Sequence, residues 1–320
     1  MRKTLVTLFV ILIINFFMPR IMPGDPFDFL SVEDGSTIVT LTEEQIQHYR
    51  SYYGMDKTML RQFTDYISNI LKGDFGKSIY YNRPVTEMVF ERIAWTLFLV
   101  ISALVVSSLS GTLLGMLSAY SKNDIRHLDG ILVRIMTVIS EIPDFILGLL
   151  LLFIFAAKLR WFPLSGGITP FAEHSSTGIW IMDYLKHAIL PGTVLILTSL
   201  GDFFLLSRQS MIGILREPYI QTARAKGLSQ WKILIHHALL NAFSPIVSKI
   251  FMQMGMMLGG AVLVENVFAY PGIGRLMREA VSLRDYVMIQ GIFFYVAIFV
   301  LIFNFIADLI FKKANKKEVV

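Results

Sequence analysis

Long, unbroken apolar blocks constrain this 320-residue chain more than any other feature. They run Thr4–Met18, Ile93–Tyr120, Ile131–Ala157, His187–Ser207, Phe243–Phe268 and Val287–Phe311. None alternates as a half-buried strand would, and none shows the one-sided stripe of a surface helix, so they read as membrane spans. A helix of roughly 20 apolar residues crosses about 30 Å of hydrocarbon and satisfies its own backbone hydrogen bonds there. The first block is short and ends at Pro19, and Arg2 and Lys3 precede it as in a secretory signal. Only PRIMPGDPF follows it, without a small-x-small cleavage site, so the block reads as an uncleaved first span. The expected fold is all-α and polytopic, with six transmembrane helices.

Hydrophobic residues make up 54% of the chain and charged residues 17%, well outside the range of a soluble domain. There is no cysteine, which excludes disulfides, thiolate metal sites and thiol catalysis. The net charge of +5 gathers near segment ends, a pattern of membrane orientation rather than of nucleic-acid binding. Lys312, Lys313, Lys316 and Lys317 face Glu318 alone, and Arg208, Arg216, Arg224, Lys226 and Lys232 face Glu217. The alternate loops are balanced: Arg275, Arg278 and Arg284 stand with Glu279 and Asp285, and Lys158, Arg160 and Lys186 with Glu173 and Asp183. Both termini and the loop around Glu217 are therefore expected in the cytoplasm of a multi-pass cell-membrane protein. The chain divides into a first span (1–18), an extracytoplasmic region with short helices (19–92), a five-span core (93–311) holding the cytoplasmic loop 208–242, and a lysine-rich tail (312–320).

Within the extracytoplasmic region, TEEQIQHYRSYYGMDKTMLRQFTDYISNIL predicts one or two amphipathic helices broken near Gly54, with Thr42 and Gln45 as a capping box. Such an element would shape an entrance or simply pack over the spans. Gly73–Ser78, GDFGKS, imitates a phosphate loop, but the true pattern needs four residues between its first glycine and Gly-Lys-Ser. Leu71 stands where that glycine belongs, so no nucleotide site is expected in this chain.

Charges inside spans cost roughly 2.5–3.5 kcal/mol each at the bilayer centre and so mark candidate sites. Glu141 and Asp144 bracket Pro143, Asp202 and Lys249 lie in the fourth and fifth spans, Glu265 ends the fifth, and Asp308 lies near the end of the sixth beside Asn304. Glu141 and Asp144 share a helix face only if Pro143 leaves that turn intact. We expect Glu141, Asp144, Asp202 and Glu265 to face a water-filled path or to pair with other groups, with Pro143 opening a kink. Two carboxylates for hydrolysis is the weaker reading. His236 and His237 point about 100° apart on a helix and cannot act as an i, i+4 metal pair. Met252, Met254, Met256 and Met257 beside Gly259 and Gly260 give a soft, closely packable wall.

The stretch from Glu217 to Pro245 is too charged for lipid, yet it carries Tyr219, Ile220, Leu228, Trp231, Leu234 and Ile235. Pro218 suits a first helical turn, Gly227 a helix end with a sharp reversal, and Ser229 the cap of a second short helix from Gln230 to about Asn241. The result would be a two-helix knob that docks on a protein partner or lies flat in the lipid interface.

Gln221-Thr222-Ala223 with Gly227 resembles the EAA–three–G motif of ABC importer permeases, and TARAKGL is close to the dipeptide, oligopeptide and nickel group. Arg20–Pro26, Tyr53-Gly-Met-Asp56, Lys72–Ser78, Gly260–Glu265 and Phe268–Gly274 are similar to stretches of that family in the same order. The resemblance covers essentially the whole chain and implies the type I permease fold. It implies that Tyr219, Gln221, Thr222, Ala223, Arg224, Ala225, Lys226, Gly227 and Leu228 contact a cytoplasmic ATPase. It also implies a second homologous permease, two ATPase subunits that use ATP and magnesium, and an extracytoplasmic solute-binding protein, with no cofactor on this chain. Gln221 and Thr222 replace the motif's Glu and Ala, Leu240 stands where proline is frequent, and the tail lacks Asp-Pro-Arg. The function expected is ATP-driven import of di- or oligopeptides by alternating access, with nickel chelates or other small solutes as the alternative cargo. The rival from another class is an ion-coupled transporter using Glu141, Asp144, Asp202 and Glu265 as a proton relay.

Overall fold

The computed structural model describes residues 2–23, 27, 32–34, 37–39, 42–124, 126–172 and 176–315. Gly24, Asp25 and Pro26 of the resemblance, Glu173, and Lys316, Lys317 and Glu318 of the charge pattern lie outside these residues. In chain order the elements are α1 (Arg2–Ile21), β1 (Val32–Asp34), β2 (Thr37–Val39), α2 (Glu43–Tyr52), α3 (Met59–Leu71), α4 (Val85–Asp124), α5 (Arg126–Ser140) and α6 (Asp144–Leu151). They continue with a π-helical turn (Leu152–Lys158), α7 (Thr177–Ile214), α8 (Pro218–Ala225), α9 (Gln230–Lys232), a second π-helical stretch (Ile233–Leu239), α10 (Leu240–Val267), α11 (Ile273–Ser282) and α12 (Tyr286–Asn315). The chain forms two compact units, one of residues 1–95 and 272–299 and the other of residues 96–271 and 300–320.

Among the described residues four helices are long and apolar enough to cross a membrane, and there are five such elements if a bent pair of helices is counted as one broken span. α1 is apolar but shorter, so length and composition do not reach the six spans the sequence predicts. The bent pair is α5 and α6, which meet at 95° around Pro143. Proline donates no backbone hydrogen bond and pushes the residue before it out of helical geometry, so the helix stops at Ser140 and restarts with Pro143 as cap. Glu141 and Asp144 thus fall on opposite sides of a break and do not share a helical face.

In the first unit, Thr42 Oγ1 accepts from the Gln45 amide at 3.3 Å and Gln45 Oε1 accepts from the Thr42 amide at 2.9 Å, the expected capping box. Gly54, at φ +65°, turns the chain from α2 toward α3. The antiparallel hairpin of β1 and β2 was not expected; its β-branched Val32, Thr37, Ile38 and Val39 favour the extended backbone. The imitation phosphate loop is a structural clasp. Ser78 is fully buried and donates to Asp285 Oδ2 at 2.5 Å, and Asp285 Oδ1 accepts the Met288 amide at 3.0 Å in the first turn of α12.

The second unit is held by backbone approach. A Cβ on Gly111 of α4 would stand 2.7 Å from Phe203 Cβ and 2.8 Å from the Leu200 carbonyl of α7. One on Gly115 would lie 2.5 Å from the Phe204 carbonyl and 2.9 Å from the Arg208 amide. Ser207 Oγ crosses the same contact to donate to the Thr112 carbonyl at 3.0 Å. On the other side, a Cβ on Gly201 of α7 would collide with Ser140 Oγ and lie 2.7 Å from the Met136 carbonyl of α5. Small residues at such spacing let helices associate where lipid offers no hydrophobic drive. We expect Gly115→Leu to wedge α4 from α7 and to cost about 1–3 kcal/mol. A lowered thermal midpoint of the detergent-purified chain would show it, whereas Gly213→Leu, at a glycine with open space around it, should leave the midpoint unchanged.

Candidate functional site

Glu217 precedes α8 in extended geometry and Pro218 occupies its first turn, where a missing N–H costs nothing. At the other end Lys226 is the cap and Gly227 takes φ +76°. The Gly227 amide donates to the Arg224 carbonyl at 2.9 Å, and the Leu228 amide to the Ala223 carbonyl at 3.3 Å. These two bonds are the paired closure of a Schellman end, which needs the left-handed residue that glycine supplies. A Cβ on Gly227 would meet nothing within 4 Å, so the requirement is conformational and not steric.

The short helix is clipped down by its apolar side. Ile220 and Ala223 are buried against Ile233, with Leu215 and Leu228 packed beside them. Tyr219 OH accepts from Asn241 Nδ2 at 2.9 Å and ties the knob to α10. The opposite side is bare: Gln221, Thr222, Arg224, Ala225, Lys226 and Gly227 are exposed. Among the described residues, Arg216, Arg224, Lys226 and Lys232 pair with no carboxylate. Ser229 holds the expected cap position, though its hydroxyl makes no capping bond. The second helix of the knob is not short. Residues 230–267 form one continuous helix through the π-helical stretch, so the knob is braced on a span rather than on a separate piece.

Close to the root of this loop, Arg208 of α7 binds Asp129 of α5 through Nε and Nη2, each at 2.7 Å, and Ser118 of α4 donates to Asp129 Oδ1 at 2.5 Å. A two-pronged guanidinium–carboxylate pair fixes orientation as well as distance. The sequence pointed to Arg208 only as an orientation charge and gave no sign of Asp129.

The four intramembrane carboxylates do not assemble into one site. Glu141 is exposed beyond α5. Asp144 begins α6, and its Oδ2 lies 3.0 Å from where a Gly260 Cβ would stand on α10. Asp202 accepts from Lys249 Nζ at 2.8 Å. Glu265 is fully buried and accepts from Thr96 Oγ1 at 2.6 Å. Pairing was expected for this group; the partners Thr96 and Lys249 were not on the list of path residues. The useful signal was helical spacing, because Lys249, Gln253, Met256 and Gly260 recur along one face of α10. On that face Gln253 is buried with an unpartnered Oε1.

Residues 111–318 match the family described as "Binding-protein-dependent transport system inner membrane component". The chain belongs to that family. It is 32% identical over 310 residues to the glutathione transport system permease protein GsiC of Escherichia coli K12, covering 97% of this chain and 94% of the relative. The Salmonella typhi protein of the same name is 31% identical over the same length. A solved inward-facing structure of the MetNI methionine ABC transporter superposes with a TM-score of 0.55 at 14% identity, covering 71% of this chain and 96% of that one, and so bears on the fold alone. Family and fold make the chain a multi-pass ABC importer permease subunit of type I, a transport component rather than an enzyme.

The Asp202–Lys249 pair joins α7 and α10 of this permease with side chains 40% and 20% exposed. Lys249→Met should destabilise the chain by roughly 1–2 kcal/mol, a discount from the fully buried case for that exposure. Adding Asp202→Asn should restore most of the loss in a double-variant thermal series. Additive losses would mean that the two groups are not coupled.

Proposed function

We propose that α8 and its closing turn are where a cytoplasmic ATPase grips this permease, and that the cargo is a short peptide. The observation that carries the coupling reading is the division of α8 into a buried side, Ile220 and Ala223, and an exposed cationic side that ends in a left-handed glycine. Buried contacts make the knob move with α7 and α10. The exposed residues Tyr219, Gln221, Thr222 and Arg224 to Gly227 offer a positively charged plug to a partner cleft, with Leu228 at its edge. In this reading both termini and α8 are cytoplasmic, ATP and magnesium are bound by partner ATPases only, and a second permease and an extracytoplasmic binding protein complete the importer.

Alternating access follows if the ATP-closed and open states of the partner bind the plug with different affinity, since equal affinity shifts nothing. The peptide assignment rests on kinship, because relatives with 31–32% identity are named for glutathione transport. Glutathione, itself a short peptide, is the first cargo to try; longer peptides and nickel chelates come after it.

Gly227→Trp tests the coupling. Open space around Gly227 means the variant should insert and assemble with its partners. The cost of forcing a side chain into the left-handed region is about 1–2 kcal/mol, enough to fray the end of α8. In proteoliposomes with the cognate subunits, uptake per ATP hydrolysed should fall by roughly tenfold. Unaltered uptake by a fully inserted variant would remove α8 from the coupling path.

A further inference from the structure

The unit containing α1, α2 and α3 holds a cavity of about 540 Å³, walled by the end of α1, by α2 and α3, by the 74–77 loop and by the start of α12. That is the size of an ordinary ligand site. Arg20 lines it. Its guanidinium lies over the Phe16 ring at 3.7 Å, Nη1 donates to the Phe16 carbonyl at 2.7 Å, and Nε and Nη2 donate to Gln62 Oε1 at 3.2 and 3.0 Å. Three of five guanidinium donors thus go to neutral oxygens, and among the described residues no carboxylate pairs with Arg20. A half-buried cation left without an anion is costly, and this one borders an open cavity whose two carboxylates are engaged elsewhere: Asp65 pairs with Lys57 at 2.7 Å and Asp74 accepts the Gly76 amide at 2.9 Å. Tyr66 lines the same space; burial pushes its hydroxyl up to about 12, so at neutral pH it keeps a proton to donate.

The place of Arg20 at the end of the apolar helix α1 narrows the choice of missing anion. Arg20 follows the first apolar block by two residues, where a long cation reaches the headgroup layer. Here α3 is pinned to α1: Asn15 Nδ2 donates to Tyr66 OH at 2.9 Å, and the Phe16 and Phe63 rings meet at 5.1 Å. Leu60, Thr64, Ile67 and Leu71 recur along one face of α3. Leu60 and Leu71 are 75% and 82% exposed, and they continue the exposed apolar face that Ile14, Phe17 and Ile21 give α1. An amphipathic helix with such a stripe, fastened to the end of an apolar helix, suits the boundary of headgroups and acyl chains.

We propose that this cavity holds the phosphate of a membrane phospholipid, with Arg20 as its ligand and the Leu60–Leu71 face of α3 resting on the acyl chains. Guanidinium geometry matches phosphate oxygens in pairs, which a lone ammonium does not. The site needs α1 to span the bilayer but not a particular end outward, so it stands or falls separately from the coupling role of α8.

The chain has no cysteine, so single labelled cysteines report without ambiguity. The full chain is reconstituted in phosphatidylglycerol–phosphatidylethanolamine vesicles with spin labels at Leu60→Cys, Leu71→Cys, Arg61→Cys or Ser68→Cys. Labels at 60 and 71 should be relaxed by oxygen and shielded from a water-soluble nickel chelate, and those at 61 and 68 should show the reverse. Native mass spectrometry should then find phospholipid retained by the wild type, partly lost from Arg20→Lys, whose ammonium keeps the charge without the paired geometry, and reduced roughly tenfold in Arg20→Gln. Labels at 60 and 71 open to the chelate, or closed to both reagents as in a protein interface, would overturn the proposal. So would undiminished phospholipid on a well-inserted Arg20→Gln. Displacement of the lipid by millimolar inorganic phosphate would assign the cavity to a free anion instead. Should Arg20→Gln fail to insert, the labels and Arg20→Lys still decide the question.

Discussion

Two helices in lipid gain nothing by hiding apolar surface from each other, so their contact has to come from close fit and from polar groups that lipid cannot serve. The second unit meets that demand around α7. On one side Gly111 and Gly115 let the backbone of α4 reach the carbonyls of Leu200 and Phe204; on the other, Gly201 of α7 makes room for Met136 and Ser140 of α5. Because the touching atoms are largely backbone, little rotamer freedom remains to absorb a displacement. α7 therefore behaves as a member clamped on two sides, and the loop that follows Ile214 inherits its position. The same α7 carries Asp202 within the span and Arg208 near its end, so packing and charge are organised on one element.

The charges divide by geometry. Arg208 and Asp129 make two bonds of 2.7 Å, and Ser118 adds a third contact to the same carboxylate from another helix. Breaking that arrangement strands a mostly buried carboxylate, which is expensive. It acts as a fixed rivet beside the α8 loop. The Asp202–Lys249 pair makes one bond and leaves Asp202 40% exposed, so it is less enclosed and less firmly oriented than the Arg208–Asp129 pair. If any charge pair in this unit is remade as the helices rock, this is the one whose geometry permits it. Glu265 is a third case: wholly buried, it is satisfied by the neutral hydroxyl of Thr96 within the same unit.

What could be read from the chain was local chemistry with a fixed geometric requirement. Thr42 with Gln45 had to cap a helix, Gly227 had to reverse one, and Pro143 had to break one; each does so. The continuous helix through residues 230–267 escaped notice because polar Lys232, His236, His237 and Asn241 look like a loop boundary. In the folded chain they occupy the end of a helix whose packing is set by Leu234, Ala238 and Ala242. Charge pairing across helices was out of reach for a different reason. A span apolar on every side has no stripe to fix its rotation, so nothing in the sequence says that Asp202 points at Lys249. The face of α10 that carries Lys249, Gln253, Met256 and Gly260 is legible in the sequence as a spacing but not as a direction. Asp129 closes the polar run SKNDIRHLD, which reads as a loop between two apolar blocks, and gives no motif at all.

Compensated charges also bear on how a cargo would be chosen. A span interior with a lone carboxylate would hold a cationic solute and release it slowly, since desolvated attraction is strong. Here Asp202 has its ammonium, and Glu265 is wholly buried behind the Thr96 hydroxyl, so the one is matched and the other is out of reach of a passing molecule. If the transport path runs along this face, with the soft side chains of Met252 and Met256 exposed on α10, it would present low specific affinity over its length. That is a favourable property for a conduit, because a solute bound tightly midway would have to be pulled off again at every cycle. It is an unfavourable one for discrimination. The selectivity implied by the peptide reading must then be exercised before the solute reaches these helices, which is what an importer with a separate binding protein would require of its permease.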